Sequence, residues 1–238
     1  MTLAPLGRRR LDVTQQRSHG AYRVLVVADP GGPLPQPGQF YMLTAAERWG
    51  GGVDERPFLP RAFSVLRARS GELEFMLEDV GPGTERLTEL SAGDGLWALG
   101  PLGQGFRAPQ EGHRAILCGG GVGTAPLALL QDRLRADGVA EVALLGFRDL
   151  AHAAGGELLE DAQIATDDGS VGHAGRVTEL LSRELDADEH AVVFSCGPPA
   201  MLEAVRALCA ERGVPVQLAL ESGMACGFGA CYGCVVPV

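Results

Sequence analysis

The stretch AILCGGGVGTAPLALLQDRLRA, residues 115–136, decides the fold class. It opens on a short apolar run of strand length, is halted by Gly119, Gly120 and Gly121, and continues from Thr124 as a helical pattern. A buried strand, a glycine turn and a helix in succession make the first half of a βαβ unit. The same rhythm runs on toward the C-terminus. Candidate strands at 142–147, 163–165 and 191–194 alternate with candidate helices at 177–185 and 199–212. The last of these helices places Met201, Val205 and Leu208 on one apolar face. Alternation of this kind predicts a parallel sheet wound with helices.

On the N-terminal side the pattern differs. Candidate strands at 22–28, 39–44, 62–68, 72–77 and 96–99 are separated by turns at residues 29–32, 70–71 and 93–95, and only 84–90 reads as helix. Short strands punctuated by glycine and proline predict a small antiparallel barrel or sandwich. The rhythm changes between Phe106 and Gly112, so the expected division is a β domain over 1–108, a parallel α/β domain over 109–215, and a separate C-terminal segment over 216–238.

Composition narrows the chemistry. The 238 residues carry 20 basic and 30 acidic side chains, and every basic one is arginine, because the sequence has no lysine. Schiff-base, pyridoxal and Walker-type nucleotide sites need a lysine amine and are excluded. A net charge of −10, with no basic cluster beyond Arg8, Arg9 and Arg10, does not suit nucleic acid. No apolar run approaches the ~18 residues of a membrane span, so the expected location is the cytoplasm. Three of the six cysteines fall in the last 13 residues, which in a reducing compartment suggests a metal before a disulfide.

Four motifs carry candidate chemistry. The first comprises Gly119, Gly120, Gly121, Val122, Gly123, Thr124, Ala125 and Pro126, a strand-to-helix turn whose backbone can approach a pyrophosphate at a positive helix end. A purely structural turn reads equally well, and the usual dinucleotide fingerprint wants a third glycine where Ala125 or Pro126 stands. The second, Cys196, Gly197 and Pro198, ends a later strand; taken alone it also fits a proline at a helix start beside a buried thiol. The third pairs Arg61, Ala62, Phe63 and Ser64 with the turn at 81–84: an arginine fork suits a diphosphate, and an aromatic ring and hydroxyl suit a planar cofactor. The fourth is Cys226, Cys231 and Cys234, in the C-x4-C-x2-C spacing of plant-type [2Fe-2S] ligands. Zinc or idle thiols are the other readings, although a zinc knuckle favours paired C-x2-C units or histidines and none follows His190. A cluster takes four ligands, so the expectation is either a fourth cysteine beyond Val238 or an unconventional ligand. The five histidines form no recognisable triad.

In this order the motifs resemble the ferredoxin reductase superfamily, and within it the family of electron transfer subunits of NAD-dependent dihydroorotate dehydrogenase. The resemblance covers about residues 18–238 and is most specific in ESGMACG at 221–227 and GPLGQGF at 100–106. It implies a flavin-binding barrel, a Rossmann-like nicotinamide domain and a terminal iron–sulfur loop. It also implies that Arg61, Ala62, Phe63 and Ser64 bind FAD, that Met76, Leu77 and Glu78 line its adenosine side, and that Gly83 and Thr84 meet its phosphates. Glu78 departs from the family pattern, which often has a basic residue there. Gly119 through Pro126 and Cys196 through Pro198 would frame the nicotinamide, Cys226, Cys231 and Cys234 would hold the cluster, and residues 167–170 match a family stretch of unassigned role. The partner implied is an FMN-containing dihydroorotate dehydrogenase catalytic subunit, two of each chain, acting in pyrimidine biosynthesis. Alternatives on the same fold are a ferredoxin:NADP or sulfide-linked reductase subunit and a non-catalytic redox sensor. NAD is expected over NADP because no arginine pair follows the second strand of the nicotinamide domain, although Arg148 lies there.

Overall fold

Alternating apolar and polar residues let each N-terminal strand cover one side of a shared core. In the computed structural model, which describes residues 7–50, 57–187 and 190–235, six such strands close on themselves. They are β1 (Arg9–His19), β2 (Tyr22–Ala28), β3 (Phe40–Ala45), β4 (Arg61–Arg69), β5 (Glu72–Glu78) and β6 (Gly95–Leu102), with helix α1 (Pro82–Thr88) between β5 and β6. The antiparallel order is β1-β2-β5-β4-β3-β6, and β1 meets β6 from Arg9↔Ala98 to Asp12↔Gly95. Of the two architectures compatible with the strand spacing, the barrel is the one formed, and closure removes the open edges.

Strand β1 escapes a reading by hydrophobicity. Its sequence, RRLDVTQQRSH, buries only Leu11 and Val13 and is held by neighbours on both sides. In the barrel wall Val24, Leu25, Leu43, Leu66, Phe75 and Leu96 are fully buried, and Tyr41 meets Phe75 edge-on at 5.6 Å. The polar tie at one end is Arg9. Its Nε donates to Asp29 at 2.8 Å, its guanidinium to the Gly100 carbonyl at 2.7 Å and to the Tyr41 hydroxyl at 3.4 Å. Asp29 is almost wholly buried, so the pair joins β1 to the end of β2 in a poorly solvated place.

The second unit, Phe106–Glu221, is a parallel sheet; the first comprises Met1–Gly105 with Ser222–Val238. Its elements are β7 (Arg114–Gly120), α2 (Thr124–Ala136), β8 (Glu141–Phe147), α3 (Leu150–Ala153), β9 (Gln163–Thr166), β10 (His173–Ala174), α4 (Val177–Ala187), β11 (Ala191–Cys196), α5 (Pro199–Arg212) and β12 (Val216–Ala219). The order β10-β9-β8-β7-β11-β12 reverses direction between β7 and β11. Ile116, Cys118, Leu144, Leu181, Val193, Val205 and Cys209 form one core, with Met201 and Leu208 packed against it from the expected face of α5. Strand β12 belongs to this sheet, so residues 216–221, grouped in the sequence reading with the cysteine segment, lie in the second unit. Among the described residues no helix is long and apolar enough to cross a membrane.

Removing Asp29 would strand the Arg9 charge in the barrel wall. The Asp29→Ala variant is expected to lose about 3 kcal/mol of unfolding free energy, read by urea denaturation; a loss below about 1 kcal/mol would show the tie to be dispensable.

Candidate functional site

The barrel wall parts between β4 and β5. From the turn at Ser70 and Gly71, β4 and β5 pair as far as Val65↔Phe75, and the register ends there. Beyond it Arg61–Ser64 pair only with β3, and Met76–Glu78 only with β2. Ala62, Phe63 and Ser64 therefore face Met76, Leu77 and Glu78 across a gap in which neither strand has a ladder partner. Residues chosen from two separate stretches of sequence form its two rims. The Met76 and Leu77 side chains are buried in the barrel, so these two residues can offer only main chain to the gap.

Beyond β5 the chain turns into α1, where Pro82 at the helix start has no N–H to leave unpaired. The Thr84 hydroxyl is occupied locally, donating to the Gly81 carbonyl and accepting from the Val80 N–H, both at 2.9 Å. What Thr84 and Gly83 retain is their backbone amides, which have no acceptor within the helix. Arg61 lies against Gly83 so closely that a β-carbon there would stand 2.8 Å from a guanidinium nitrogen. Arg61 also donates to the Leu59 carbonyl at 2.6 Å, which fixes the fork in place.

In the second unit the two glycine turns leave neighbouring strands at the same edge, with Cys196 in register with Gly119. They pack backbone on backbone. A β-carbon on Gly123 would run into the Cys196 carbonyl, and one on Gly120 would stand 2.6 Å from the Met201 sulfur and 3.2 Å from Pro198. Gly121 has φ 56, a left-handed conformation that favours glycine. This meeting point is where the strand order reverses, the place where open α/β sheets take ligands. Ala125 and Pro126 are buried in the first turn of α2 and serve its packing.

Two side-chain groups come forward here, one from Thr124 within the glycine-turn motif and one from Glu221, to which the motifs gave no site role. The Thr124 hydroxyl, at the first residue of α2, is buried and has no hydrogen-bond partner. Glu221 places a carboxylate oxygen 4.0 Å from the Cys196 sulfur. Burial, and then the Glu221 charge, push the Cys196 thiol far above its ordinary range, while shielding from solvent raises Glu221. Cys196 is thus a neutral thiol at physiological pH and no nucleophile. At the ends of β8 and β9, Asp149 accepts from the His152 backbone at 3.0 Å and lies 2.6 Å from its ring Nδ1, and Asp168 accepts from Ser170 N–H at 3.0 Å. Arg148 follows β8 directly, with Nε 3.8 Å from Asp149.

The cysteine segment, residues 222–235, has no regular secondary structure. Positive φ at Gly227 (77), Gly229 (83) and Tyr232 (57) curls it around Cys226. Backbone N–H groups of Cys231, Phe228 and Ala230, with the Cys231 side chain, bring the Cys226 thiol down to about 6. Amides converging on a sulfur suit a thiolate ligand, so Cys226 and Cys231 fit a cluster site. Among the described residues no three His, Cys, Asp or Glu side chains converge as a metal-holding group, so Cys234 does not complete a triangle with them.

The chain is 38% identical over 243 residues to the dihydroorotate dehydrogenase B (NAD(+)) electron transfer subunit of Geobacillus thermodenitrificans, an alignment covering 98% of this chain and 90% of that one. The protein of the same name from Clostridium acetobutylicum is 37% identical over 202 residues, 84% of this chain and 76% of that one. No protein-family model matches. Among solved structures, the NADH-dependent reduced ferredoxin-NADP oxidoreductase aligns with a TM-score of 0.78 at 22% identity, covering 96% of this chain and 82% of that one. A ferredoxin NADP+ reductase from Neisseria gonorrhoeae aligns with a TM-score of 0.68 at 17% identity, covering 90% and 99%. At these identities the structures support the fold alone.

Gly123→Ala should cost about 1–3 kcal/mol, because the Cys196 carbonyl it meets is backbone and cannot swing away. Gly223→Ala, with nothing near its β-position, should be neutral, and equal melting temperatures for the two variants would contradict the close contact. Hydrogen bonds hold Asp149 and Asp168 below the usual carboxylate range. The stability they add is full above the ordinary carboxylate pKa of about 4 and is lost as pH falls through the lowered folded value. Asp149→Asn with Asp168→Asn should therefore be less stable at pH 7 and show a shallower loss below about pH 4, measured by denaturation across pH.

Proposed function

Because the chain belongs to the family of electron transfer subunits of dihydroorotate dehydrogenase B (NAD(+)), we propose that it carries electrons from the FMN of a catalytic partner subunit to NAD in pyrimidine biosynthesis, with FAD and a [2Fe-2S] cluster as bound carriers. The observation that carries the flavin assignment is the parted β4/β5 seam, with Arg61 held against Gly83 at its end. When bound, FAD exchanges single electrons with an iron–sulfur centre and two electrons with a nicotinamide.

Arg61 is placed to pair its fork with the diphosphate, together with the amides of Gly83 and Thr84, in a chain that has no lysine for the task. Ala62, Phe63 and Ser64 on one rim, and the main chain of Met76, Leu77 and Glu78 on the other, hold the rest of the cofactor. The Gly119–Gly123 turn and Cys196, Gly197 and Pro198 receive the dinucleotide, with the Thr124 hydroxyl as a polar contact at the helix end. Neutral Cys196 supplies a small, uncharged surface beside the nicotinamide and moves no proton. Cys226 and Cys231, in the glycine-curled loop, would supply thiolates to the cluster, with Cys234 following in the C-x4-C-x2-C spacing. The partner is the FMN-bearing catalytic subunit, in an assembly of two of each chain.

Protein purified without oxygen should carry about one flavin and about two irons per chain. Arg61→Ala should lower FAD affinity about 10–100-fold and leave the iron content unchanged, whereas Cys231→Ser should lose iron and keep flavin. NADH should reduce the bound flavin faster than NADPH. A colourless, iron-free wild-type protein would defeat the assignment, and equal rates with the two nucleotides would overturn the preference for NAD.

A further inference from the structure

A buried N–H that finds no acceptor costs about 1–3 kcal/mol, so such an orphan in a folded chain marks a place where a group from outside belongs. The Trp49 indole Nε1 is one: it is shielded from solvent and has no hydrogen-bond partner. Its position gives this meaning. The Arg61 guanidinium carbon lies 6.0 Å from the centre of the Trp49 ring, and the same guanidinium presses on Gly83. Next to Trp49, the Gly50 N–H donates to the Pro57 carbonyl at 2.8 Å. An indole N–H and a guanidinium can only donate. Two donor-only groups side by side, one of them charged, call for an anionic oxygen acceptor.

Among the buried side-chain atoms without a partner in the second unit, the Thr124 hydroxyl also lies at a proposed cofactor contact, on the first residue of α2. Trp97, the other tryptophan, is not among the orphans and lies under the Arg8 guanidinium at 4.8 Å.

We infer that Trp49 is a further flavin-binding residue, which donates its indole N–H to a phosphate oxygen of the FAD diphosphate beside Arg61. The inference rests on the flavin reading given above. Its ring also backs the arginine, so the two residues form one anion clamp, with the aromatic face holding the guanidinium plane and the N–H extending the row of donors.

The test is titration of flavin-stripped full-length protein with FAD and with riboflavin, which lacks both phosphates. Trp49→Phe keeps an aromatic face and removes the N–H. It should weaken FAD binding about tenfold, the worth of one hydrogen bond to a charged acceptor, and leave riboflavin binding unchanged. Equal FAD affinity for wild type and variant overturns the inference, and so does an equal loss for both ligands, which would assign the effect to the ring. A second measurement does not depend on the variant folding well. In wild-type protein labelled with 15N-tryptophan, the Trp49 indole resonance should move downfield on adding FAD but not riboflavin, while that of Trp97 stays in place. A stationary Trp49 signal in FAD-saturated protein overturns the contact. Failure of the wild type to bind FAD at all would instead sink the flavin assignment itself and this inference with it.

Discussion

No side chain fits between the turn that ends β7 and the turn that ends β11. Gly123 rests on the Cys196 carbonyl, Gly197 lies over the Gly120 amide, and even a methyl group at these positions would meet backbone. Backbone cannot rotate aside as a side chain can, so the two strand ends approach only because both turns are glycine-rich. That approach sets the point of strand-order reversal in the second unit. It also brings together Cys196, Thr124 and the start of α2, which otherwise belong to distant parts of the chain.

The barrel uses the opposite device. Where the second unit brings backbone together, the first lets it separate: β4 and β5 stop pairing after Val65↔Phe75 while each keeps its outer partner. A barrel can tolerate such a seam because closure elsewhere, between β1 and β6, holds the wall. The gap is therefore supported by a strand that takes no part in it. Gly83 completes the arrangement by leaving room for the Arg61 guanidinium at the end of the seam.

Charge follows from composition in the same economical way. With no lysine in the chain, any phosphate the protein takes would have to be met by arginine forks, histidines, main-chain amides or neutral donors. The thiols divide by environment. Cys118 and Cys196 are pushed up by burial, Cys118 to about 12, whereas Cys226 is brought down to about 6 by amides directed at its sulfur. The same side chain is thus inert packing in a dry sheet and a ready ligand in a glycine-curled loop.

Much of this was legible in the amino-acid order. Glycine turns, the period of each apolar run and the alternation of strand with helix are local properties, and they specified a β unit followed by a parallel α/β unit, as well as the family. The C-x4-C-x2-C spacing and the Arg61 stretch stood out for the same reason: their chemistry is written in neighbouring residues. What hydrophobic pattern could not show were the elements whose stability comes from partners far along the chain. Strand β1 is too polar and β12 too short to announce themselves, and each forms because an adjacent strand supplies its hydrogen bonds. The end of the β4/β5 register, the buried Thr124 hydroxyl, the Glu221 carboxylate at Cys196 and the unpaired Trp49 N–H are properties of pairs and of burial, not of single residues. Sequence determined which groups were available and how the chain would turn; only the tertiary structure decided which of them would meet, because hydrogen-bond satisfaction and exclusion of water are settled between segments that local order does not connect.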